Sequence, residues 1–313
     1  MLYAKTFVAA LLAAAALVQA EPTPTSSQSI NPQGIALKPV EKRAPSPSVD
    51  LSLSNAQRLA RGLPPRKPKR RERKINPRLA ARAAASPCPS TTHSGVIQVT
   101  NAGTGAAMGY LPRTYNVFGE YGVTTDPSAA LHLSFGTSSC GGSPAPTSGS
   151  QLDILTTNGP SSTFPYLVLI SGSASTDADF RPGSTNYAYV GGGTQTPPGS
   201  PAVTAPNSFS ATTGIPEGVQ SAVWVYDAAS GAISAQWVNT DRSACLLLIL
   251  FPSLPFHPIP SLPYTRTPAT RLLYAPSDNV IIAAGDVRAF ASAFGQGTEV
   301  TLKFVPEATV VVY

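Results

Sequence analysis

The chain has 313 residues, 22 of them Lys or Arg and 16 Asp or Glu, for a formal net charge of +6, with 42% hydrophobic residues, 32 prolines and three cysteines. The positive charge is confined to one stretch: from Ala44 to Arg82 eleven basic residues face only Asp50 and Glu72, a net of +9. From Ala83 onward seven basic residues stand against twelve acidic ones, a net of −5, so the balance excludes a nucleic-acid-binding character for the folded part.

Residues 1–20 carry one early charge, Lys5, then an apolar run from Phe7 to Val18, with Val18 and Ala20 set before Glu21. This is the layout of a secretory signal peptide, and its apolar stretch is too short for an ordinary membrane span. It predicts a secreted protein, extracellular or in the cell wall, that matures in an oxidising compartment. Residues 21–50 are rich in Pro, Ser and Thr, and contain the dibasic pair Lys42-Arg43, a candidate processing site. The basic run that follows is broken by Pro64, Pro65, Pro68 and Pro77 and repels itself, so residues 21–82 are expected to be a disordered linker or propeptide. Three uses compete for the run: a spacer cut at Lys69-Arg70-Arg71, a tether to polyanions such as cell-wall polysaccharide or phospholipid surfaces, and a solubilising linker. No recognition helix or aromatic stacking platform accompanies the charge, which argues against a nucleic-acid partner.

The expected domain covers 83–313. Short alternating runs read as strands: GVIQVT (95–100), ALHLSF (130–135), QLDILTT (151–157), NYAYVGG (186–192) and SFSATTG (208–214), with YLVLISG (166–172) continuous enough for a central strand. In YLPRTYNVFGEYGV (110–123), Leu111, Tyr115, Val117 and Tyr121 are placed on the buried side of an irregular strand pair. Residues 219–238 form the clearest hairpin: Val223 and Val225 alternate with Trp224 and Tyr226, then Ile233, Ala235 and Trp237 with Ser234 and Gln236, around the turn DAASG. RLLYA, NVIIAAG and EVTLKFV supply three more strands. DVRAFASAFG is the one helical candidate, capped by Asp286, buried through Val287, Phe290, Ala291 and Phe294, and ended by Gly295. Crossover helices are missing, so the expected fold is all-β, an antiparallel Greek-key-like β-sandwich around the 219–238 hairpin, with one short helix near the C-terminus.

Residues 244–266, ACLLLILFPSLPFHPIPSLPYTR, depart from this texture. Leucine and proline dominate and no period of 2 or 3.6 runs through them. Leu, Pro, Ser and Phe share pyrimidine-rich codons, so the segment reads as a foreign insert, a retained intron. A genuine apolar loop and a membrane-inserting loop are the competing readings, although no stable membrane insertion is expected. Without it, Ser243 joins Thr267 in a sensible polar turn.

Of Cys88, Cys140 and Cys245, the last falls in the suspect segment, which leaves Cys88–Cys140 as the expected disulfide, a type of bond worth about 2–4 kcal/mol. Candidate chemistry is sparse. The histidines are His93, in a polar loop, His132, outward between Leu131 and Leu133, and His257, in the suspect segment. No GxSxG occurs, no His/Cys spacing marks zinc, and no catalytic residue or cofactor is predicted. Asp177 and Asp179 are weak candidates for Ca²⁺, against ordinary turn capping. Twelve carboxylates lie beyond the linker, Glu120 and Glu217 among them, and nothing in their spacing selects a pair for glycoside hydrolysis. For ligand binding, Tyr187 and Tyr189 share one strand face, and Trp224 and Tyr226 another. Either pair would stack on sugar rings if it faced solvent, or form core if it did not.

QRLARGLPP (57–65), FGEYGVTTDP, DILTTNGP, GSTNYAYVGGGTQTPPGSP, GIPEGVQSAVWVYDAASGAISAQWVNTD and DVRAFASAFG resemble a family of uncharacterised secreted proteins of mushroom-forming (basidiomycete) fungi, over about residues 50–243 and 267–305. The resemblance implies a fungal origin and secretion, and it carries no established activity. In chains of that kind the NTD turn runs almost directly into a TPAT-like strand, which agrees with treating 244–266 as foreign. The functional expectation is a noncatalytic secreted wall- or surface-associated protein with weak glycan binding; the alternative is a secreted carboxylate-dependent hydrolase such as a glycoside hydrolase.

Overall fold

The computed structural model describes residues 28–40, 90–138, 148–243 and 270–307. The signal peptide, the basic pairs Lys42-Arg43 and Lys69-Arg70-Arg71, all three cysteines with the expected Cys88–Cys140 bond, and the segment 244–266 lie outside the described residues.

Fourteen strands follow one another: β1 (Ser90–Asn101), β2 (Ala107–Tyr110), β3 (His132–Ser138), β4 (Gly149–Leu152), β5 (Ile154–Thr156), β6 (Tyr166–Ser171), β7 (Tyr187–Gly193), β8 (Val203–Thr204), β9 (Gly218–Gln220), β10 (Trp224–Asp227), β11 (Ala232–Ala235), β12 (Arg271–Ala275), β13 (Val280–Ala284) and β14 (Thr298–Pro306). Among the described residues two α-helices join them, α1 (Ser208–Thr213) and α2 (Val287–Phe294). Neighbouring strands pair in the order β1-β3-β5-β6-β7-β13-β12-β14, and β14 returns to β1 with Gly95 opposite Pro306 and Asn101 opposite Val300. That last pairing closes a ring of 8 antiparallel strands. The all-β class stands, but the expected sandwich does not: a sandwich has two separate sheets, and here one sheet meets itself and has no edge along the ring.

Alternation along the ring strands sorts their side chains onto two faces. Ile97, Val99, Leu133, Phe135, Ile154, Leu167, Leu169, Ala188, Val190, Leu272, Ile281, Ala283, Val300, Leu302 and Phe304 form the inner core, with every ring strand contributing. An eight-stranded barrel has room inside for side chains alone, which fits this apolar filling. A second core lies outside the ring, over half of its circumference. There Val168, Ile170, Tyr187, Tyr189, Leu273, Ala275, Val280, Ile282 and Ala284, from β6, β7, β12 and β13, meet Phe209 of α1, Phe290 and Phe294 of α2, Val219 of β9 and Ile30. Those four strands are therefore buried on both faces, which is why YLVLIS and VIIAA are unbroken apolar runs.

The hairpin expected over 219–238 forms between β10 and β11, with Trp224 opposite Ala235 and Tyr226 opposite Ile233, whereas Gly218–Gln220 pairs as β9 with β6 and β8. Its turn closes on left-handed Gly231 (φ 72°), whose N–H donates to Asp227 O at 2.8 Å. It is not central, however. It hangs on β14 through β11, outside the ring, with β4 on its far side. Its tryptophans reach inward: Trp224 Nε1 donates to Leu167 O at 2.8 Å, and Trp237 stacks on Phe180 at 4.9 Å with Nε1 donating to Ala178 O.

The C-terminal helix matches its sequence signals. Asp286 Oδ1 accepts from the Arg288 and Ala289 N–H groups, Phe290 and Phe294 are buried, and Gly295 ends the helix. SFSATTG, expected as a strand, is instead α1. Asn207 Oδ1 caps it by accepting from Ser210 N–H at 2.8 Å, and Gly214 stops it in the left-handed region (φ 77°). Its buried positions, Ser208, Phe209, Thr212 and Thr213, fall three to five residues apart between the two turns, a helical spacing masked by β-branched composition.

One stretch of the expected disordered linker is packed on the domain. Residues 28–40 lie across the outer core, with Ile30 and Asn31 buried. Gln28 N–H donates to Ala293 O of α2 at 2.9 Å, and Lys38 N–H to Thr212 O of α1 at 2.8 Å. Composition predicted disorder because so few of these residues bury; the two that do suffice to place the strap.

Candidate functional site

The site assembles where the strap, the loop 115–122 and β7 meet. On β7, alternation turns Tyr187 and Tyr189 outward together. Their rings are fixed by Phe209, stacked on Tyr189 at 4.8 Å, and by Phe290 and Phe294, at 5.6 and 5.0 Å from Tyr187. The hydroxyls end 3.2 Å apart and both donate to one oxygen, the Ile30 carbonyl, Tyr189 at 2.6 Å. A carbonyl has two lone pairs, and this one uses both on the pair.

Beside them, loop 115–122 inserts where β7 and β13 diverge. The β7–β13 ladder runs only from Tyr187 to Tyr189; beyond it, Tyr121 N–H donates to Val190 O and Ile281 N–H to Tyr121 O. Asn116 is the hub of this loop. Its Oδ1 accepts from the Phe118 and Glu120 N–H groups, both at 3.0 Å, and its Nδ2 donates to Glu120 Oε2 at 2.7 Å and to Asp278 O at 2.9 Å. The turn needs Gly119: its φ is 87°, and a Cβ there would sit 2.5 Å from Ser208 O. The Ser208 hydroxyl also donates to Gly119 O, which ties the loop to α1.

This loop carries Glu120 to a fully buried position facing the strap, where Asn31 Nδ2 donates to its Oε2 at 3.3 Å. Burial pushes the Glu120 carboxyl up to about 8; the bonds from Asn116 and Asn31 pull it down, and the charge of Asp278 adds to the rise. The carboxyl is thus largely protonated at neutral pH. Its Oε1 has no hydrogen-bond partner among the described residues, and neither has Asn31 Oδ1. Burial likewise raises the phenols, Tyr187 to about 12 and Tyr189 upward, so both remain hydrogen-bond donors. In chemical terms the site offers two phenol O–H groups aimed at one oxygen, a neutral carboxylic acid and a side-chain amide, set against an apolar floor.

The sequence-predicted residues fall elsewhere or face inward. Trp224 and Tyr226 are inner core. Tyr187 and Tyr189 do share a face, but both are buried: their ring faces are covered and their hydroxyl tips are engaged by the Ile30 carbonyl. Asp177 and Asp179 build a turn: Asp179 accepts from Thr240 N–H and O–H and pairs with Arg181, while Asp177 accepts from Asn186 Nδ2 at 2.7 Å. Among the described residues no group of three His, Cys, Asp or Glu could hold a metal ion. His93 lies in β1 rather than a polar loop, against Phe135 at 4.9 Å, and His132 is exposed and paired with Glu307. Val117, expected inside, is 68% exposed. Sequence reasoning missed Ile30, Asn31 and Asn116, and had no ground to single out Glu120 from twelve carboxylates. The usable signal was the polar Asn-Val-Phe-Gly-Glu turn inside an aromatic stretch.

Comparison of the chain with protein-family models, with curated proteins and with solved structures finds no match in any of the three. Among the described residues no helix is long and apolar enough to cross a membrane.

Proposed function

We propose that this chain is a noncatalytic secreted protein of the cell wall or cell surface, a β-barrel that binds hydroxyl- or carbonyl-bearing ligands weakly through Asn116, Glu120, Tyr187 and Tyr189. The observation that carries this reading is the convergence of two phenol hydroxyls on a single oxygen beside a neutral carboxyl group. Such a cluster matches a cell-wall glycan through its hydroxyl groups, not through ring stacking, because Phe209, Phe290 and Phe294 cover the tyrosine rings. The charged stretch 44–82 adds a polyanion-seeking arm wherever it remains attached. The test is retention on fungal wall fractions and on a glycan array, comparing the native sequence with the double variant Tyr187→Phe, Tyr189→Phe, each after an endoprotease cut at the Lys42-Arg43 pair that frees residues 28–40. Retention lost in the variant supports the reading; equal retention, or none for either protein, rejects it.

A second reading, a carboxylate hydrolase, has one observation in its favour: a carboxyl raised to about 8 is what a general acid needs. Glycoside hydrolysis also requires a second carboxyl at a defined separation across a cleft, and Asp278 is the acidic neighbour that Glu120 feels. Hydrolysis of a wall polysaccharide by the native protein but not by Glu120→Gln or Asp278→Asn would select this reading over the first.

A further inference from the structure

The strap covers the site by means of few contacts. Of residues 28–40 only Ile30 and Asn31 are buried. Ile30 contributes one aliphatic side chain to the outer core and its carbonyl to Tyr187 and Tyr189; Asn31 contributes one long bond to Glu120. Two further backbone bonds, from Gln28 and Lys38, hold its ends. Against these stand two buried polar atoms without hydrogen-bond partners among the described residues, Glu120 Oε1 and Asn31 Oδ1, each of which regains water when the strap leaves.

We propose that residues 28–40 are a detachable intramolecular plug, held on Tyr187, Tyr189 and Glu120 only while the chain between the plug and the barrel is intact. The proposal rests on the reading of these residues as the binding site and adds its regulation. Attached through the chain, the plug sees its site at an effective concentration on the order of millimolar, so weak contacts keep it seated. Once cut free, one buried isoleucine and a handful of hydrogen bonds do not outweigh the lost translational and rotational freedom, and the peptide leaves at the dilution of a secreted protein. Any cut between residues 41 and 89 has this effect, and the Lys42-Arg43 pair lies two residues beyond the last described residue of the plug. The step is peptide-bond hydrolysis by an endoprotease specific for basic pairs: water adds across the bond after Arg43, leaving a carboxylate there and an amine on Ala44.

The experiment takes the secreted full-length chain, treats half of it with such an endoprotease, and follows both halves by gel filtration, mass spectrometry and amide hydrogen exchange. In the cut sample the fragment bearing residues 28–40 is expected to leave the barrel fraction, and exchange at 116–122 and 208–213 to speed up at least tenfold while the barrel keeps its thermal transition. Added synthetic 28–40 peptide restores protection with a Kd on the order of 0.1 mM, and an Ile30→Asp peptide does so at least about tenfold less well. A fragment that stays with the barrel at nanomolar concentration, or a barrel that loses its transition on cutting, overturns the proposal. In the uncut chain Ile30→Asp is expected to speed the same amides without any cut; unchanged protection there also overturns it. These readouts use no glycan, so release without wall retention rejects the binding reading alone.

Discussion

The two halves of the barrel wall solve different problems with the same strand geometry. Strands β1, β3, β5 and β14 turn one face to the inner core, and their outward positions, such as Leu155, Thr301 and Lys303, are exposed. Strands β6, β7, β12 and β13 are covered outside as well, by α1, α2 and residues 28–40, with β9 paired beside β6. A strand buried once alternates, and a strand buried twice is apolar throughout. The buried polar cluster follows the same division, because a covered face is where hydroxyls, an amide and a carboxyl can be held away from water and given altered chemistry.

The sharpest way to break this contrast is to truncate outward-facing residues on both halves. Ile282→Ala, on the outer face of the covered half, is expected to cost about 2–5 kcal/mol in chemical denaturation, because it empties a filled second core. Lys303→Ala, also outward but on the bare half, should stay within about 0.5 kcal/mol. Equal costs would dissolve the distinction.

A smaller effect, confined to the covered half, concerns pH. The ordinary Glu carboxyl titrates near 4.5 and folded Glu120 at about 8, so between those values the folded state holds a proton that the unfolded chain has lost. Stability therefore falls as pH rises through this window, by on the order of 1.4 kcal/mol per pH unit from this group. Glu217, which burial pushes up to about 7, adds a loss of the same sign over a narrower range. Denaturation midpoints measured from pH 5 to 9 should show the decline, and Glu120→Gln should flatten most of it. A wild-type slope that survives in Glu120→Gln would place the effect elsewhere.

A modest change is expected from removing residues 244–266. Trp237 N–H donates to Thr270 Oγ1 at 3.1 Å and Asn239 N–H to Ser243 O at 2.9 Å, so the chain on either side of the segment is already anchored at one place. Loop-closure entropy varies slowly with length, and deletion should shift stability by no more than about 2 kcal/mol with an unchanged circular dichroism spectrum. A lost spectrum would make the segment part of the fold.

Much of the wall was legible in the sequence and its closure was not. YLVLIS, VIIAA and the 219–238 hairpin announce strands through local composition and turn chemistry, and Asp286 and Gly295 bracket α2 in the same way. Whether strands stack as two sheets or close as one is decided by β1 meeting β14, some two hundred residues apart, and no local period records that. SFSATTG misled because β-branched threonines outweighed the caps at Asn207 and Gly214. The site was less legible still. Tyr187 and Tyr189 were visible as a pair, but which partners they take depends on Ile30, more than 150 residues earlier, in a stretch whose Pro- and Ser-rich character speaks for disorder. Among the described carboxylates Glu120 and Asp179 are buried, and no local sequence pattern marks either one.

The most direct test of the central claim, that a neutral acid lies sealed under residues 28–40 on the covered half, is the titration of Glu120 itself. Carboxyl carbon NMR of the intact chain, with the resonance assigned by its absence in Glu120→Gln, should show this glutamate changing state near pH 8. A midpoint between about 4 and 5, the range of a glutamate in water, would contradict the account.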